Sequence, residues 1–350
     1  MSSLATELDS TEIRDPKTLE TQTQTQTTTT TSTNTTNLLP DLSQLHTSTT
    51  TTPLHELLTI ILTSSPAKCH PSTEMLEIVV GSFQAIGAER CRTIVMCDGY
   101  KRGAKHRPSR GIINDEAARD YDEYINRLRQ ASNTTTTTTT TDKSDLETSS
   151  PLSNIEVVVQ PERLGFGFAV KRAVCDFVTT PYVMVVHHDQ RYRRSFNLAG
   201  VIEQMELLDQ VNYVGVLSPG TLGYVEKCKT NKNMPDPTSG IIPLANDMGN
   251  LVPLYVWFDR NHVGRTSFYR ENVFQSGLIK KGTFIEDCYG QQMLSTIKEN
   301  GLEAHAQYGC YYYDDLVPES MIHHIDGRRW MTPEQRQELG LPPLPDIMNK

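Results

Sequence analysis

The feature that most constrains this chain is an apolar run that ends in a cluster of histidine, aspartate and arginine side chains. Residues 182–186 read Tyr-Val-Met-Val-Val and are followed at once by His187, His188 and Asp189. A continuous apolar and β-branched run is typical of a strand that is covered on both faces in a parallel sheet. In open α/β sheets, ligands collect just beyond the carboxyl ends of such strands. The sequence therefore predicts a ligand site at the end of this strand.

The side chains at this strand end suit metal and phosphate binding. If the extended geometry continues, alternation places His187 and Asp189 on one side of the strand and His188 on the other. A hard divalent cation prefers carboxylate oxygen, and manganese tolerates an imidazole ligand better than magnesium does. Arg191 and two further arginines follow directly and would suit an anion. Taken alone, these residues fit an exposed turn between a strand and a loop equally well.

Composition limits how much of the chain can form a packed core. The chain has 350 residues, but threonine-rich and nearly uncharged tracts occupy 21–52 and 133–141. Such tracts bury too little apolar surface to offset chain entropy, which leaves roughly 250 residues for one α/β domain. The expected segments are a disordered leader at 1–53, a domain at 54–330 with a low-complexity loop inserted at 133–150, and a C-terminal tail at 331–350.

The charge balance and the cysteines limit the function class and the compartment. The formal net charge of −9 argues against a general nucleic-acid-binding role and leaves a local anion site as the better explanation of the arginines. Seven cysteines are scattered singly, which favours a reducing compartment over a disulfide framework or a zinc knuckle. Residues 1–20 lack the pattern of a signal peptide, and no apolar run approaches the roughly 20 residues that span a bilayer. We therefore expect a soluble, cytoplasmic protein.

Alternating strand and helix patterns predict a parallel sheet. A strand at 57–63, a helix with apolar residues at helical spacing from Met75 to Phe83, and a strand at 92–97 form a β–α–β unit. Such a short return implies a right-handed crossover between parallel strands. The other predicted elements are helices at 116–129, 169–177, 197–209 and 291–299 and strands at 155–160, 213–217, 251–258, 266–269 and 304–313, with a polar segment at 221–250 that has no clear period.

Three acidic positions outside the central strand are candidates for chemistry. Asp98 ends the second strand at the same sheet edge as Asp189, where a carboxylate can accept hydrogen bonds from a nucleobase or a ribose, although Asp-Gly is also a common turn pair. Glu286 and Asp287 precede a helix, where acids complement the helix dipole and cap free N–H groups. The same carboxylates could instead act as a general base toward an attacking hydroxyl.

Glycines and a second histidine pair give weaker signals. Gly165 and Gly167 precede a helix and could admit a diphosphate near backbone N–H groups, but the third glycine of a dinucleotide fingerprint is missing. His323 and His324 could complete metal coordination or contact phosphate, although such a pair near a C-terminus is more often structural.

Taken together, these motifs resemble the nucleotide-sugar glycosyltransferases of the GT-A fold, in particular the family-2-like inverting enzymes. The Asp-x-Asp metal motif of that family corresponds to His187-His188-Asp189, and its Glu-Asp base motif corresponds to Glu286-Asp287. The segment Arg265-Thr-Ser-Phe-Tyr-Arg270 is similar to the stretch between the two motifs. The resemblance covers about residues 57–325, and His187 stands where the family has its first metal-binding acid.

The resemblance implies a single GT-A-like, Rossmann-like domain in which helices flank a mostly parallel central sheet. It implies a glycosyltransferase that moves a sugar from a nucleotide-diphosphate donor to a hydroxyl of a glycan, lipid or protein acceptor, with Mn²⁺ or Mg²⁺ as the cofactor. The implied catalytic residues are Asp287 as the base and Glu286 beside it. The implied metal ligands are Asp189, His187 and His323, and the implied donor-binding residues are Thr63, Asp98, Arg172, His188 and Arg191.

Two other interpretations stay open. A nucleotidyltransferase uses a related α/β scaffold with metal and phosphate groups, but it usually carries a glycine-rich basic loop after its first strand, where this chain has Ser64-Ser65-Pro66-Ala67-Lys68. A non-catalytic protein that holds a nucleotide or a glycan is favoured by the histidine at position 187. In the glycosyltransferase interpretation, the polar segment 221–250 would shape the acceptor side.

Overall fold

The computed structural model describes residues 52–107, 110–133, 150–325 and 331–338. The predicted leader, except for its last two residues, the interior of the predicted loop at 133–150 and the predicted tail beyond 338 therefore lie outside the described residues.

The strands of the described residues include four long ones whose apolar sequences are buried. In chain order the strands are β1 Leu58–Ser64, β2 Arg92–Cys97, β3 Lys101–Arg102, β4 Ile112–Ile113, β5 Ile155–Val159, β6 Tyr182–His187, β7 Gln190–Tyr192, β8 Tyr213–Gly215, β9 Ile242–Pro243, β10 Asn250–Pro253, β11 His262–Arg265, β12 Cys310–Asp314 and β13 Ile322–His324.

Within the described part of the chain, nine strands form one sheet in the order β5-β2-β1-β6-β11-β8-β12-β10-β9. Strands β5, β2, β1 and β6 are parallel neighbours, and β8 is parallel to β12. Strand β11 runs antiparallel to both β6 and β8, so its first residue lies at the edge where β6 ends. Two short pairs, β13 with β7 and β3 with β4, lie outside this sheet.

Helices cover the sheet and complete the core. Those of the described residues are α1 Leu54–Leu57, α2 Glu74–Gly81, α3 Asp115–Asn133, α4 Phe166–Asp176, α5 Leu198–Leu207, α6 Tyr224–Thr230, α7 Thr266–Phe268, α8 Gln291–Asn300 and α9 Pro333–Glu338. Helix α3 shows the packing logic, because Ala118, Tyr121, Ile125 and Leu128 recur at helical spacing and are buried. The predicted α/β class, with helices flanking a mostly parallel sheet, is confirmed.

Most predicted strands and helices are confirmed with small shifts in their bounds. The strand predictions at 57–63, 92–97, 155–160 and 182–186 correspond to β1, β2, β5 and β6. Their signal is a run of apolar and β-branched residues, which depends on few distant contacts. The predicted end of the last long helix is also confirmed, since α8 stops at Asn300 and Gly301 adopts a φ of 78°.

The strand predicted at 266–269 is wrong, because Thr266–Phe268 is helical and continues into a π-helical turn at Tyr269–Val273. The two flanking arginines explain the conformation. Arg265 donates hydrogen bonds to the carbonyls of Val211 and Leu208, over 2.8 and 3.3 Å. Arg270 donates to the carbonyl of Val174 at the end of α4, over 2.8 Å. Cationic side chains that cap helix carbonyls in this way are stabilising, so the segment follows the helices on which it packs.

Three other predictions need correction in the second half of the chain. The strand predicted at 304–313 begins only at Cys310, because Leu302–Gln307 forms a 3₁₀ helix. The strand predicted at 251–258 is extended only over Asn250–Pro253, and the segment 221–250 contains helix α6 and strand β9. Strand β11 was not predicted at all, since its sequence His-Val-Gly-Arg has no apolar run.

Candidate active site

An open cleft of about 340 Å³ lies at the sheet edge where β6 ends and β11 begins. Three of the ten predicted site residues line it, namely His187, Glu286 and Asp287. The residues that line the cleft are His187, Gln190, Asp259, Arg260, Phe284, Glu286, Asp287 and His324.

His187 ends β6 and lines the cleft together with Asp259, Glu286 and Asp287. Its Nε2–H donates a hydrogen bond to the backbone carbonyl of Asp259, and its ring stacks on Phe166 with centroids 4.7 Å apart. Burial lowers the pKa of His187, although the charge of Asp189 opposes that shift. The imidazole is therefore neutral at pH 7, and its Nε2 is occupied by a protein partner.

His188 and Thr63 tie the ends of β1 and β6 together rather than lining the cleft. The backbone N–H of His188 donates to the carbonyl of Thr63 over 3.1 Å, and its Nδ1 lies 3.3 Å from Oγ of Ser64. Oγ1 of Thr63 donates in turn to the carbonyl of Val186 over 3.5 Å. Burial lowers the pKa of His188 as well.

Asp189 is bonded to His324, whereas the predicted metal ligand His323 contacts Arg191. Nε2 of His324 donates to Oδ2 of Asp189 over 3.1 Å, and the Asp189 side chain is 16% exposed. Nε of Arg191 lies 3.4 Å from Nδ1 of His323. Burial raises the pKa of Asp189. The hydrogen bond from His324 and the nearby imidazoles lower this pKa by more, so it lies below its usual range.

The donor atoms around Asp189 are of the types that bind a divalent cation. Strand pairing places His324 directly opposite Gln190, and both line the cleft. Oε1 of Gln190 is buried and has no hydrogen-bond partner among the described residues. No group of three or more His, Cys, Asp or Glu side chains converges in the described ranges. Mg²⁺ and Mn²⁺ are nevertheless commonly held by one or two carboxylates together with phosphate oxygens and waters, and Mn²⁺ accepts imidazole.

Asp98 lies at the predicted sheet edge, but its carboxylate already binds backbone amides. It accepts hydrogen bonds from the N–H groups of Leu164 and Gly165, over 2.7 and 3.0 Å, and from Gly99 over 3.0 Å. Burial raises the pKa of Asp98, and these hydrogen bonds oppose the shift. In this structure, Asp98 therefore fixes the loop that leads into α4.

The glycines of that loop serve close packing. Gly165 has a φ of 77°, and a Cβ at this position would lie 2.6 Å from Cα of Gly282. The N–H of Gly167 donates to the carbonyl of Thr283 over 3.1 Å. The loop beside α4 thus holds the segment that leads to Glu286, and the Gly167 N–H is used within the protein.

Arg172 points toward the end of β5. Its guanidinium donates to Oε1 of Gln160 and lies 3.6 Å from Oδ2 of Asp176, one turn along α4. Among the described residues that line the cleft, Arg172 is absent.

Glu286 and Asp287 open the π-helical turn Glu286–Gly290 that precedes α8. Asp287 is exposed in the cleft, whereas Glu286 is half-buried. Burial raises the pKa of Glu286, and the charge of Arg260 opposes that shift. The two adjacent acids therefore occupy different environments: Glu286 is half-buried and hydrogen-bonded, whereas Asp287 is open to the cleft.

Asp259 and Arg260 are site residues that sequence reasoning missed. Asp259 is 6% exposed and bonded to Glu286, and Arg260 lines the same cleft. The guanidinium of Arg260 packs over Gly220, where a Cβ would lie 3.1 Å away, and it has no hydrogen bond or ion pair with any residue the structure describes. Both residues precede β11, and the unrecognised antiparallel strand was the signal that could have placed them at this edge.

A second cleft of about 340 Å³ lies beyond the ends of β8 and β12. It is lined by Leu217 and the turn that follows it, and by the loop with Leu316 and Val317. These two apolar side chains are 67% and 42% exposed. Since Arg260 packs on Gly220 and the next residue, Thr221, lines the second cleft, the two clefts are neighbours.

Across the residues that the structure describes, no helix has the length and apolarity that crossing a bilayer requires.

No protein-family model and no curated protein sequence matches the chain. Among solved structures, it is similar to S. aureus TarS 1–349, with 11% identity and a TM-score of 0.34 over 76% of this chain and 59% of that one. The same TarS segment in complex with UDP-GlcNAc gives 11% identity and a TM-score of 0.37 over 81% of this chain and 64% of that one. GalNAc-T7 with UDP, GalNAc and Mn²⁺ gives 9% identity and a TM-score of 0.40 over 79% and 45% of the two chains.

The chain thus spans less than two thirds of the length of each of these proteins. The likeness is remote, and the residues of the cleft carry the functional argument.

Proposed function

We propose that this protein is a glycosyltransferase that moves a sugar from a nucleotide-diphosphate donor to an acceptor hydroxyl with inversion at the anomeric carbon. One observation carries the proposal. The exposed carboxylate of Asp287 shares a cleft with Gln190 and His324, and His324 is bonded to Asp189. A base and a set of metal-fitting oxygen and nitrogen atoms therefore face one space at the ligand-binding edge of an α/β sheet.

In the proposed reaction, Asp287 is the general base. The acceptor oxygen forms a bond to the anomeric carbon as the bond to the diphosphate oxygen breaks, and the hydroxyl proton passes to the Asp287 carboxylate. The nucleoside diphosphate leaves with the electron pair of the broken bond. The exposure of Asp287 supports this role, because an acceptor can reach it, while the half-buried Glu286 carboxylate accepts a hydrogen bond from the Asp259 backbone N–H.

The proposed metal is Mn²⁺ or Mg²⁺, held by Asp189, by Gln190 and by His324, which would give up its Nε2 proton, together with the donor diphosphate. When bound, it would supply Lewis-acid stabilisation of the charge on the leaving diphosphate. Arg260 adds a cation to the same cleft and would contact the diphosphate. The resemblance also implies His187 and His323 as metal ligands; in this structure, Nε2 of His187 is bonded to the Asp259 carbonyl and His323 contacts Arg191.

The other proposed donor-binding residues are not among those that line this cleft. Thr63 and His188 shape the ends of β1 and β6, and Arg191 follows on β7. Asp98 would act through the backbone that it holds. A contact between Arg172 and the diphosphate would require its bond to Gln160 to open.

The proposed acceptor is a glycan, lipid or protein hydroxyl that enters from the second cleft. The position of that cleft beside Arg260 supports this direction, and its walls come partly from the segment 221–250. The cysteines, which are scattered singly along the sequence, support a cytoplasmic site of action.

The experiment that tests the function is a panel of nucleotide sugars, titrated with and without Mn²⁺ and then assayed for sugar transfer and for release of nucleoside diphosphate. We expect at least one donor to bind in Mn²⁺ and to be turned over. We expect Asp287→Asn to keep donor affinity and lose transfer by a factor of roughly 100 to 10,000. Glu286→Gln is the matched control and should cost less.

Other outcomes would favour the two alternative functions. Formation of a nucleotide sugar from a nucleoside triphosphate and a sugar phosphate would identify a nucleotidyltransferase. Binding of a nucleotide or a glycan without turnover would identify a non-catalytic binding protein. Transfer at the wild-type rate by Asp287→Asn would make the acidic pair a helix cap.

A further inference from the structure

Asp259 and Glu286 hold each other by two reciprocal hydrogen bonds. The backbone N–H of Glu286 donates to Oδ2 of Asp259 over 2.9 Å. The backbone N–H of Asp259 donates to Oε2 of Glu286 over 3.2 Å. Each residue therefore uses its carboxylate to bind the main chain of the other, which fixes both backbones and both side chains at once.

The remaining polar atoms of Asp259 are also occupied. Oδ1 accepts a hydrogen bond from the indole Nε1–H of Trp257 over 3.2 Å, and the backbone carbonyl accepts one from Nε2 of His187. Trp257 itself is fully buried. Asp259 is thus hydrogen-bonded to Trp257 in the core, to His187 at the end of β6 and to Glu286 in the π-helical turn.

This arrangement places two carboxyl groups close together, one of them buried. Burial raises the pKa of Asp259 well above its usual range, and the charge of Glu286 raises it further, although hydrogen bonds from both neighbours oppose the shift. A buried carboxylate beside a second carboxylate destabilises a fold unless it is fully bonded. Its bonds lead to Glu286, which is adjacent in sequence to Asp287.

We propose that Asp259 is a positioning residue for the base Asp287. His187 fixes the backbone of Asp259, and the hydrogen bonds between Asp259 and Glu286 fix the turn that carries Asp287. The proposal rests on the proposed glycosyl transfer. It gives His187 a role different from metal binding: the histidine joins the strand end on the donor side to the turn that bears the base. Small displacements of a catalytic group are costly, because the reacting atoms must be held close to their attack geometry.

The test is Asp259→Asn, which keeps the size of the side chain but offers one acceptor to two donors, the Glu286 N–H and the Trp257 Nε1–H. We expect kcat for transfer to fall by roughly 10- to 100-fold with an unchanged donor KM. In the Asp287→Asn background, the same substitution should lower kcat almost no further, because the effects of residues that act as a unit are not additive. Amide hydrogen exchange at Glu286 should become faster.

Several outcomes would overturn this inference while leaving the glycosyltransferase proposal intact. One such outcome is a wild-type kcat in Asp259→Asn. Another is that Asp259→Asn lowers kcat by the same factor in the wild-type and in the Asp287→Asn background, because independent effects on kcat combine as a product. If Asp259→Asn does not fold, Glu286→Gln and Glu286→Ala replace it. Gln keeps an acceptor for the Asp259 N–H and should retain more transfer than Ala, and equal losses would count against the inference. A wild-type protein that transfers no sugar from any donor would refute the proposed function itself.

Discussion

Nε2 of His324 donates a hydrogen bond to Oδ2 of Asp189 over 3.1 Å, although 135 positions separate the two residues in the chain. Strand β13 makes this contact possible by pairing with β7, which sets His324 opposite Gln190 and His323 opposite Arg191. Because neighbouring side chains of a strand point to opposite faces, this register alone decides which of the two histidines meets the carboxylate.

The Asp189–His324 pair predicts which side chains hold the metal. We expect Asp189→Ala to abolish the Mn²⁺-dependent part of nucleotide-diphosphate binding, and His324→Ala to weaken it strongly. His323→Ala is the matched control and should weaken it less, since this histidine contacts Arg191. Calorimetric titration with and without Mn²⁺ gives the affinities, and Mn²⁺ paramagnetic resonance reports ion binding without turnover. Equal effects of the two histidine variants would contradict the assignment.

Gly165 and Gly277 form a matched pair for the packing of the loop beside α4. Both have φ near +75°, at 77° and 73°, so a Cβ is strained at either position. At Gly165 the Cβ would also lie 2.6 Å from Cα of Gly282, whereas nothing lies within 4 Å at Gly277. We expect Gly277→Ala to lower the free energy of unfolding by about 1 kcal/mol. The cost of Gly165→Ala should be larger by about 2 kcal/mol, because the main chain must shift. Urea unfolding measures both, and equal costs would show that the loop can move freely.

The buried His262 predicts a pH dependence of stability. Its Nδ1–H donates to the carbonyl of Arg260 and its Nε2 accepts from the hydroxyl of Tyr269, and burial lowers its pKa to about 3. In the unfolded chain the pKa is about 6.5, so between these values the unfolded state binds the extra proton. The stabilising contribution is therefore complete above pH 6.5 and is lost as the pH falls toward 3, by up to about 1.4 kcal/mol per pH unit.

His262→Phe cannot bind that proton, and we expect its free energy of unfolding to fall less steeply between pH 7 and pH 5. Urea unfolding at several pH values gives the two slopes. His70, whose pKa burial also lowers to about 3, is present in both proteins and contributes equally to each. Parallel slopes would show that His262 is not protonated on unfolding.

The sequence was sufficient for the strands whose signal is local. β1, β2 and β6 are apolar runs that remain buried in any arrangement of an α/β sheet, and they were placed within one or two residues. Asp287 could be named as a candidate because an acidic pair before a helix is visible in the sequence without any contact, and the structure places it in the cleft. The same local signal could not show that Glu286 is bonded to Asp259.

Distant contacts decided what the sequence could not show. β11 has no apolar run of its own, and its extended conformation follows from pairing with β6 and β8 on either side. Glycine is required at Gly264 because a Cβ there would lie 2.8 Å from the Tyr269 ring. Asp259 and Arg260 enter the site because this strand starts at the edge where its neighbours end. Asp98 had the right position, but its partners, Leu164 and Gly165, lie in a loop whose path no local pattern fixed.

The long separation between β7 and β13 also bears on the order in which the cleft matures on the ribosome. The Asp259–Glu286 contacts join residues 27 positions apart, so they can form as soon as α8 has been synthesised. His324 reaches Asp189 only after the strand at Ile322–His324 has left the exit tunnel, and closing so long a loop carries a larger entropic cost. During synthesis, the contacts around the proposed base would therefore form before those around the proposed cation site.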